Sequence, residues 1–274
     1  MILPATVFAA PGVVTAVAVA AVAVLMIGLW VASIRLRDVS IVDPIWGPAF
    51  VVVALVGALV GNADAATGSG RRWLLFALTA VWGLRLGGYL FVRKLGDREE
   101  DRRYREMRDR RGDGFVPWSL FAIFGLQGLL VLIVSLPLQV AAERHSGLTA
   151  AVIPGVVLFG VGLAFEAIGD QQLRRFKSDP DHQGKVMDRG LWRYTRHPNY
   201  FGDFCVWWGL WLIALPAGGT WWTLIGPVVM STLLIRVSGA ALLEKTMSER
   251  RPEYADYIKR TSGFVPFPPR RSSR

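Results

Sequence analysis

The sequence has a single cysteine, Cys205, which excludes an internal disulfide and a cysteine-cluster metal site. Its three histidines, His145, His182 and His197, are too few and too scattered for a zinc or di-iron centre, so no metal is expected. Phosphate cradles are missing as well. There is no GxxxxGK(S/T) string and no strand–GxGxxG–helix unit, so a nucleotide could be held only by side chains on helices and loops. Repeats, low-complexity tracts and interdomain linkers are absent. A basic leader and a small-residue cleavage site are also lacking at the start, so the first apolar stretch is expected to be retained as a span.

What the sequence has in excess is apolar surface. Of 274 residues 53% are hydrophobic, 11 are Trp, and the mean hydropathy is positive. Seven apolar segments are long enough to cross a bilayer at the helical rise. They run over Val7–Ile34, Ile45–Gly61, Trp73–Val92, Pro117–Val140, Ala150–Gly169, Phe201–Leu215 and Trp221–Val237. Pro137 and Gly160 fall inside spans, where membrane helices tolerate them. The expected fold is an all-α polytopic membrane protein with seven transmembrane helices.

Charge is confined to the ends of these segments and is uneven between the two sides. Loops on one side hold 27 of the 31 Lys and Arg residues; the other side holds only Arg71, Arg72 and Arg144, and Arg85 lies within a span. The positive-inside rule then puts the amino terminus outside and the carboxyl terminus in the cytoplasm. The run Arg93–Gly114 mixes signs at helical spacing and reads as a charged helical extension held by i,i+4 pairs and drawn to anionic headgroups. Its acidic residues dilute the field and aromatics are not interleaved, so nucleic acid is not an expected partner.

Chemistry concentrates between the fifth and sixth spans. Glu166 and Asp170 end an apolar helix, and ionisable groups at membrane depth point to function by default. Arg174, Arg175, Lys177, Lys185, Arg189, Arg193 and Arg196 suit an anionic cofactor, yet the positive-inside rule alone would also account for them. The string Thr195-Arg196-His197-Pro198-Asn199-Tyr200-Phe201-Gly202-Asp203 brings donors and acceptors to the point where the chain re-enters lipid. After the seventh span, Glu244 could face the same cavity. The segment that follows reads as an amphipathic helix lying on the membrane through Tyr254 and Tyr257, with a frayed tail after Phe267.

With these motifs in view, the chain resembles a bacterial family of unknown function within the steroid 5α-reductase superfamily. The likeness rests on "RDVSIVDPIWG", "WGLRLGGYL", "GLWRYTRHPNYFGD" and "LLEKTMSERRPEYADYIKRTSGFVPFPP", and so covers nearly the whole chain. It implies one membrane-embedded domain over residues 1–274. Helices one to four (1–140) would form the substrate side, and helices five to seven with the tail (141–274) the cofactor side. It also implies NADPH as cofactor, held by Asp170, Lys177, Tyr194, Arg196, His197, Asn199, Tyr200, Asp203 and Glu244. Glu244 stands where the reductases carry a His, and Ala240 where they carry a cofactor-binding Arg.

The activity implied is reduction of an activated C=C bond in a steroid-like or lipid substrate, in the bacterial plasma membrane. A tyrosine hydroxyl positioned by a carboxylate would stabilise the developing enolate. The candidates are Tyr89 and Asp43. The same superfamily contains isoprenylcysteine and phospholipid methyltransferases, which carry a similar Arg-His-Pro-x-Tyr-x-Gly string and use S-adenosylmethionine. A methyltransferase is therefore the alternative, followed by a non-enzymatic lipid-binding protein. Expected partners are membrane lipids and a hydrophobic small molecule, with no obligate protein partner.

Overall fold

The computed structural model describes residues 12–61, 69–96, 99–144, 147–237 and 254–270. Among them the chain is helical, with one isolated β-bridge between Thr195 and Ser262. Six helices are long and apolar enough to cross a membrane: Val13–Leu36, Val39–Val60, Ser69–Gly96, Arg102–Val134, Ala150–Ser178 and Pro198–Ala217. Helices satisfy their own backbone groups, which lipid cannot do. Large apolar side chains also face outward, with Phe121 75% exposed and Val24 73%. Water would penalise that surface and hydrocarbon would not, as expected of an integral membrane protein.

The seventh expected span differs. Trp221–Val237 is a shorter apolar helix. It is built from a 3-10 turn at Trp221–Leu224, an α-helix at Ile225–Thr232 and a π turn at Leu233–Val237. Among the described residues there are thus six full-length spans, not seven. The contacts divide the chain into two compact units, Met1–Ala151 with Ile213–Gly226, and Val152–Leu212 with Pro227–Arg274.

The first unit contains α1 (Val13–Leu36), α2 (Trp46–Val60), α3 (Ser69–Gly96), α4 (Arg102–Arg111), α5 (Phe115–Ser119), α6 (Leu126–Val134) and α7 (Leu136–Ala142). Phe50 and Trp82, both fully buried, pack at 5.7 Å between α2 and α3. Glycines let these helices touch. A Cβ at Gly83 would lie 2.6 Å from the Gly47 carbonyl oxygen, and one at Gly87 2.9 Å from that of Pro44. This draws the 3-10 segment Val39–Ile45, and Asp43 within it, onto α3.

The charged run does not continue α3 as one helix. Asp101 caps α4 by accepting from Arg103 N at 2.9 Å. The residues that lead into α4 are tied to the 3-10 segment. Val39 N donates to Glu100 Oε1 at 2.8 Å and Asp101 N to Ser40 Oγ at 3.2 Å. The expected i,i+4 pairing is present at Arg102–Glu106, 2.7 Å. Arg108 then sits 4.3 Å over the Phe115 ring and Arg111 3.9 Å over Trp118, leading α4 into α5. Further on, Ser135 Oγ donates to the Val131 carbonyl and Gln139 Nε2 to that of Leu132, so side chains supply donors next to Pro137, which has none.

The second unit is built on α8 (Ile153–Ser178) and most of α9 (Pro198–Ala214), with most of α10 (Ile225–Thr232) and with α11 (Tyr254–Arg260). Gly155, Gly162 and Gly169 recur every seven residues on α8, as do Gly202 and Gly209 on α9. A Cβ at Gly202 would lie 2.5 Å from both Glu166 N and Gly162 O, and one at Gly209 2.7 Å from Gly155 O. The two helices therefore run antiparallel in backbone contact, in the manner of small-residue membrane seams.

The tail departs from expectation. Tyr254 and Tyr257 do not lie on a membrane surface; they are 5% and 2% exposed and buried in protein. Tyr257 Oη donates to the Trp192 carbonyl at 2.5 Å, and Trp192 Nε1 donates to Gly169 O at 3.0 Å. Burial, and then the Tyr254 phenol, push the Tyr257 pKa well up. Nor does the tail fray between Phe267 and Arg270, the last described residue. Phe267 N donates to Tyr194 O at 3.0 Å and Arg270 N to Arg260 O at 2.9 Å.

Candidate functional site

In the second unit, Pro198 opens α9 with its fixed φ, and the following turn carries the polar string. Asn199 Nδ2 donates to Asp170 Oδ1 at 3.2 Å, joining the start of α9 to the fifth turn of α8. Asn199 Oδ1 in turn accepts from Tyr200 N at 3.1 Å. The His197 ring stacks on Tyr200, with 5.5 Å between centroids and 10° between planes. His197, Glu166, Asp170 and Asp203 are all buried, and a Cβ at Gly202 would come within 2.8 Å of that of Glu166. Four of the expected residues, Asp170, His197, Asn199 and Tyr200, are thus brought together, with Asp203 one turn further along α9.

Others are placed differently. Arg196 reaches the carboxyl-terminal segment: Nη1 donates to the carbonyls of Ile258 at 3.1 Å and Thr261 at 2.7 Å, capping α11. Thr195 Oγ1 donates to Phe264 O at 2.7 Å, and Arg196 N to Ser262 O at 2.9 Å. The motif thereby carries the carboxyl-terminal segment. Tyr194 is 43% exposed, and Lys177 is exposed two turns beyond Asp170 on α8. Glu244 and Ala240 lie outside the described residues.

The first unit holds a second polar group. Asp43 Oδ1 accepts from Tyr104 Oη at 2.8 Å and Oδ2 from Arg103 at 3.2 Å. The tyrosine that meets this carboxylate is Tyr104, not Tyr89. The cause is the tie between Glu100, Asp101 and the 3-10 segment, which lays the first turn of α4 over Asp43. One signal in the sequence pointed to it: Tyr104 is the only aromatic between Phe91 and Phe115. Nearby, burial alone would raise the Asp38 pKa. The Lys94 ammonium at 2.7 Å and the Ser40 hydroxyl outweigh it and hold the carboxyl below the usual 3.8.

Comparison with known proteins gives a partial relative and a family. "Probable O-methyltransferase ustE" of Ustilaginoidea virens is 34% identical over 70 residues, 24% of this chain. The matched region likewise spans 24% of that protein's length. No solved structure matches. The model of the family described as "Protein of unknown function (DUF1295)" matches residues 29–261, which take in the Asp43–Tyr104 pair, the α8–α9 seam and α11. The chain belongs to this DUF1295 family.

Proposed function

We propose that the protein is a membrane-embedded, S-adenosylmethionine-dependent methyltransferase acting on a hydrophobic substrate drawn from the lipid. The observation that carries this is the sign of the buried charge in the second unit. Among its described residues the buried Asp, Glu and His side chains are Glu166, Asp170, Asp203 and His197, and no Lys or Arg is buried. Buried carboxylates favour a cationic ligand. S-adenosylmethionine fits them through its sulfonium and ammonium groups, and it supplies an electrophilic methyl group. In this reading Asn199, oriented by Asp170, hydrogen-bonds the cofactor beside His197 and Tyr200. Asp203 or Glu166 takes the proton released by the substrate nucleophile. Arg196 holds the tail, and Tyr194, Lys177 and Glu244 border the site. The printed name of the Ustilaginoidea virens relative supports the same class. The side bearing 27 of the 31 cations would face the cytoplasm of a bacterial plasma membrane.

A second reading, an NADPH-dependent C=C reductase, is favoured by one observation: the Tyr104–Asp43 hydrogen bond is a carboxylate-positioned proton donor of the kind an enolate needs. Thermal unfolding of the detergent-solubilised protein separates the two. A ligand at 100 times its Kd stabilises by about 2.7 kcal/mol. S-adenosylmethionine or S-adenosylhomocysteine should raise the midpoint, and NADPH should not. A shift with NADPH alone would replace the first reading by the second; no shift with any of them would leave a lipid-binding protein.

A further inference from the structure

The methyl-transfer reading leaves unused a basic cleft in the second unit. It is a half-open cleft of about 520 Å³ lined by Arg189, Arg193, Arg260 and Arg270, with Asp188 as its acid. Asp188 is committed to Arg260 at 2.6 Å. Among the described residues no acidic side chain pairs with Arg189, Arg193 or Arg270. All four arginines are solvent-exposed, and they line one space with one carboxylate among four guanidiniums. Like charges held together are costly unless an anion joins them.

The walls are held by hydrogen bonds within the protein. Gly190 takes φ +58, and a side chain there would strike the Gln172 carboxamide, whose Oε1 accepts from Leu191 N at 3.0 Å. Trp192 N closes the same turn onto Arg189 O at 3.1 Å. On the other side Arg270 N bonds to Arg260 O. The turn bearing Arg189 and Arg193 and the segment bearing Arg260 and Arg270 are thus fixed by backbone hydrogen bonds.

We propose that this cavity binds a phosphate group carrying two or more negative charges, a phosphomonoester or diphosphate, through guanidinium forks. The site goes beyond the methyl-transfer reading, because S-adenosylmethionine contains no phosphate. The group can come from a soluble compound or from a lipid headgroup, and the test separates these sources. Full-length purified protein is titrated with inorganic pyrophosphate, and in parallel placed in nanodiscs containing phosphatidic acid or, at equal charge density, phosphatidylglycerol.

The variants are Arg189→Gln with Arg193→Gln; the control is Arg174→Gln with Arg175→Gln, exposed and outside the cavity. Each guanidinium–phosphate bond is worth about a tenfold change in affinity. The cavity pair should therefore weaken binding at least that much, and the control should change it little. Binding of pyrophosphate assigns the site to a soluble phosphate; selective retention of phosphatidic acid over phosphatidylglycerol assigns it to a headgroup. Equal losses in both variant pairs would reduce the cavity to diffuse charge, and no binding in either arm would overturn it. These readouts need no S-adenosylmethionine, so they stand apart from the test of methyl transfer.

Discussion

Tyr104 donates its hydroxyl to Asp43 across 2.8 Å and 61 residues of sequence, and the bond survives there because Glu100 and Asp101 tie α4 to the segment that bears Asp43. Tyr104→Phe should cost about 1 kcal/mol, since Asp43 keeps Arg103 when the phenol is lost. The check is thermal unfolding in detergent beside Tyr89→Phe. If C=C reduction is found, turnover should fall in Tyr104→Phe more than in Tyr89→Phe; the reverse order would remove Tyr104 as the proton donor.

Asp38 and Lys94 make stability depend on pH at the same end of the first unit. The folded Asp38 carboxyl titrates below its unfolded value of 3.8. Its contribution is therefore fully present above 3.8 and is lost as pH falls through the lower folded value. Lys94→Met removes the principal partner, so the wild-type advantage in unfolding midpoint should be constant near neutrality and shrink below about pH 4. An advantage that persisted at the lowest pH would assign Lys94 a packing role instead.

Glycine substitutions should separate seam positions from ordinary ones. Gly202→Ala forces a Cβ into the α8 backbone and should destabilise by about 1–3 kcal/mol. Gly160 is in the same pair of helices with nothing within 4 Å of an added Cβ. Gly160→Ala should be neutral, or stabilise by up to about 1 kcal/mol through helix propensity. Equal effects, measured by thermal unfolding, would mean that the seam is looser than these distances imply.

The seam was open to sequence reading, because spacing carries it. Glycines seven apart on two apolar segments, and Pro198 before a polar string, are local patterns that translate directly into helix faces. Asp170, Asn199 and His197 stood out for the same reason. Tyr104 did not, because its partner is fixed by two hydrogen bonds to a segment 61 residues earlier. Arg196 misled for a related reason. A guanidinium in a basic string suggests phosphate, but backbone carbonyls 62 and 65 residues downstream engage its Nη1. The amphipathic pattern at Tyr254 and Tyr257 was real, and the surface it packs on proved to be protein.

Arg196 should therefore act on the tail first. Arg196→Gln removes the charged donor to Ile258 O and Thr261 O, and Arg196→Lys cannot reproduce the planar fork. Both should expose the 254–270 segment, with trypsin cleavage after Lys259 and Arg260 faster than in wild type. Cleavage at an unchanged rate would show that Thr195, Tyr194 and Tyr257 hold the tail without it.

Asn199 and Asp170 give the sharpest test of the cofactor face, since removing either partner leaves the other helix's group in place. Asn199→Ala deletes both the donor to Asp170 and the acceptor for Tyr200 N. Asp170→Asn keeps the shape and removes the charge. If the buried carboxylates recognise a cationic cofactor, Asp170→Asn should weaken S-adenosylmethionine binding by about tenfold or more, the value of one hydrogen bond to a charged group. Binding of the neutral-sulfur product S-adenosylhomocysteine should weaken less, because it lacks the sulfonium. Calorimetric titration of both ligands reads this ratio directly. Equal losses for the two would attribute the effect to geometry, and unchanged binding of both would move the cofactor away from the α8–α9 seam.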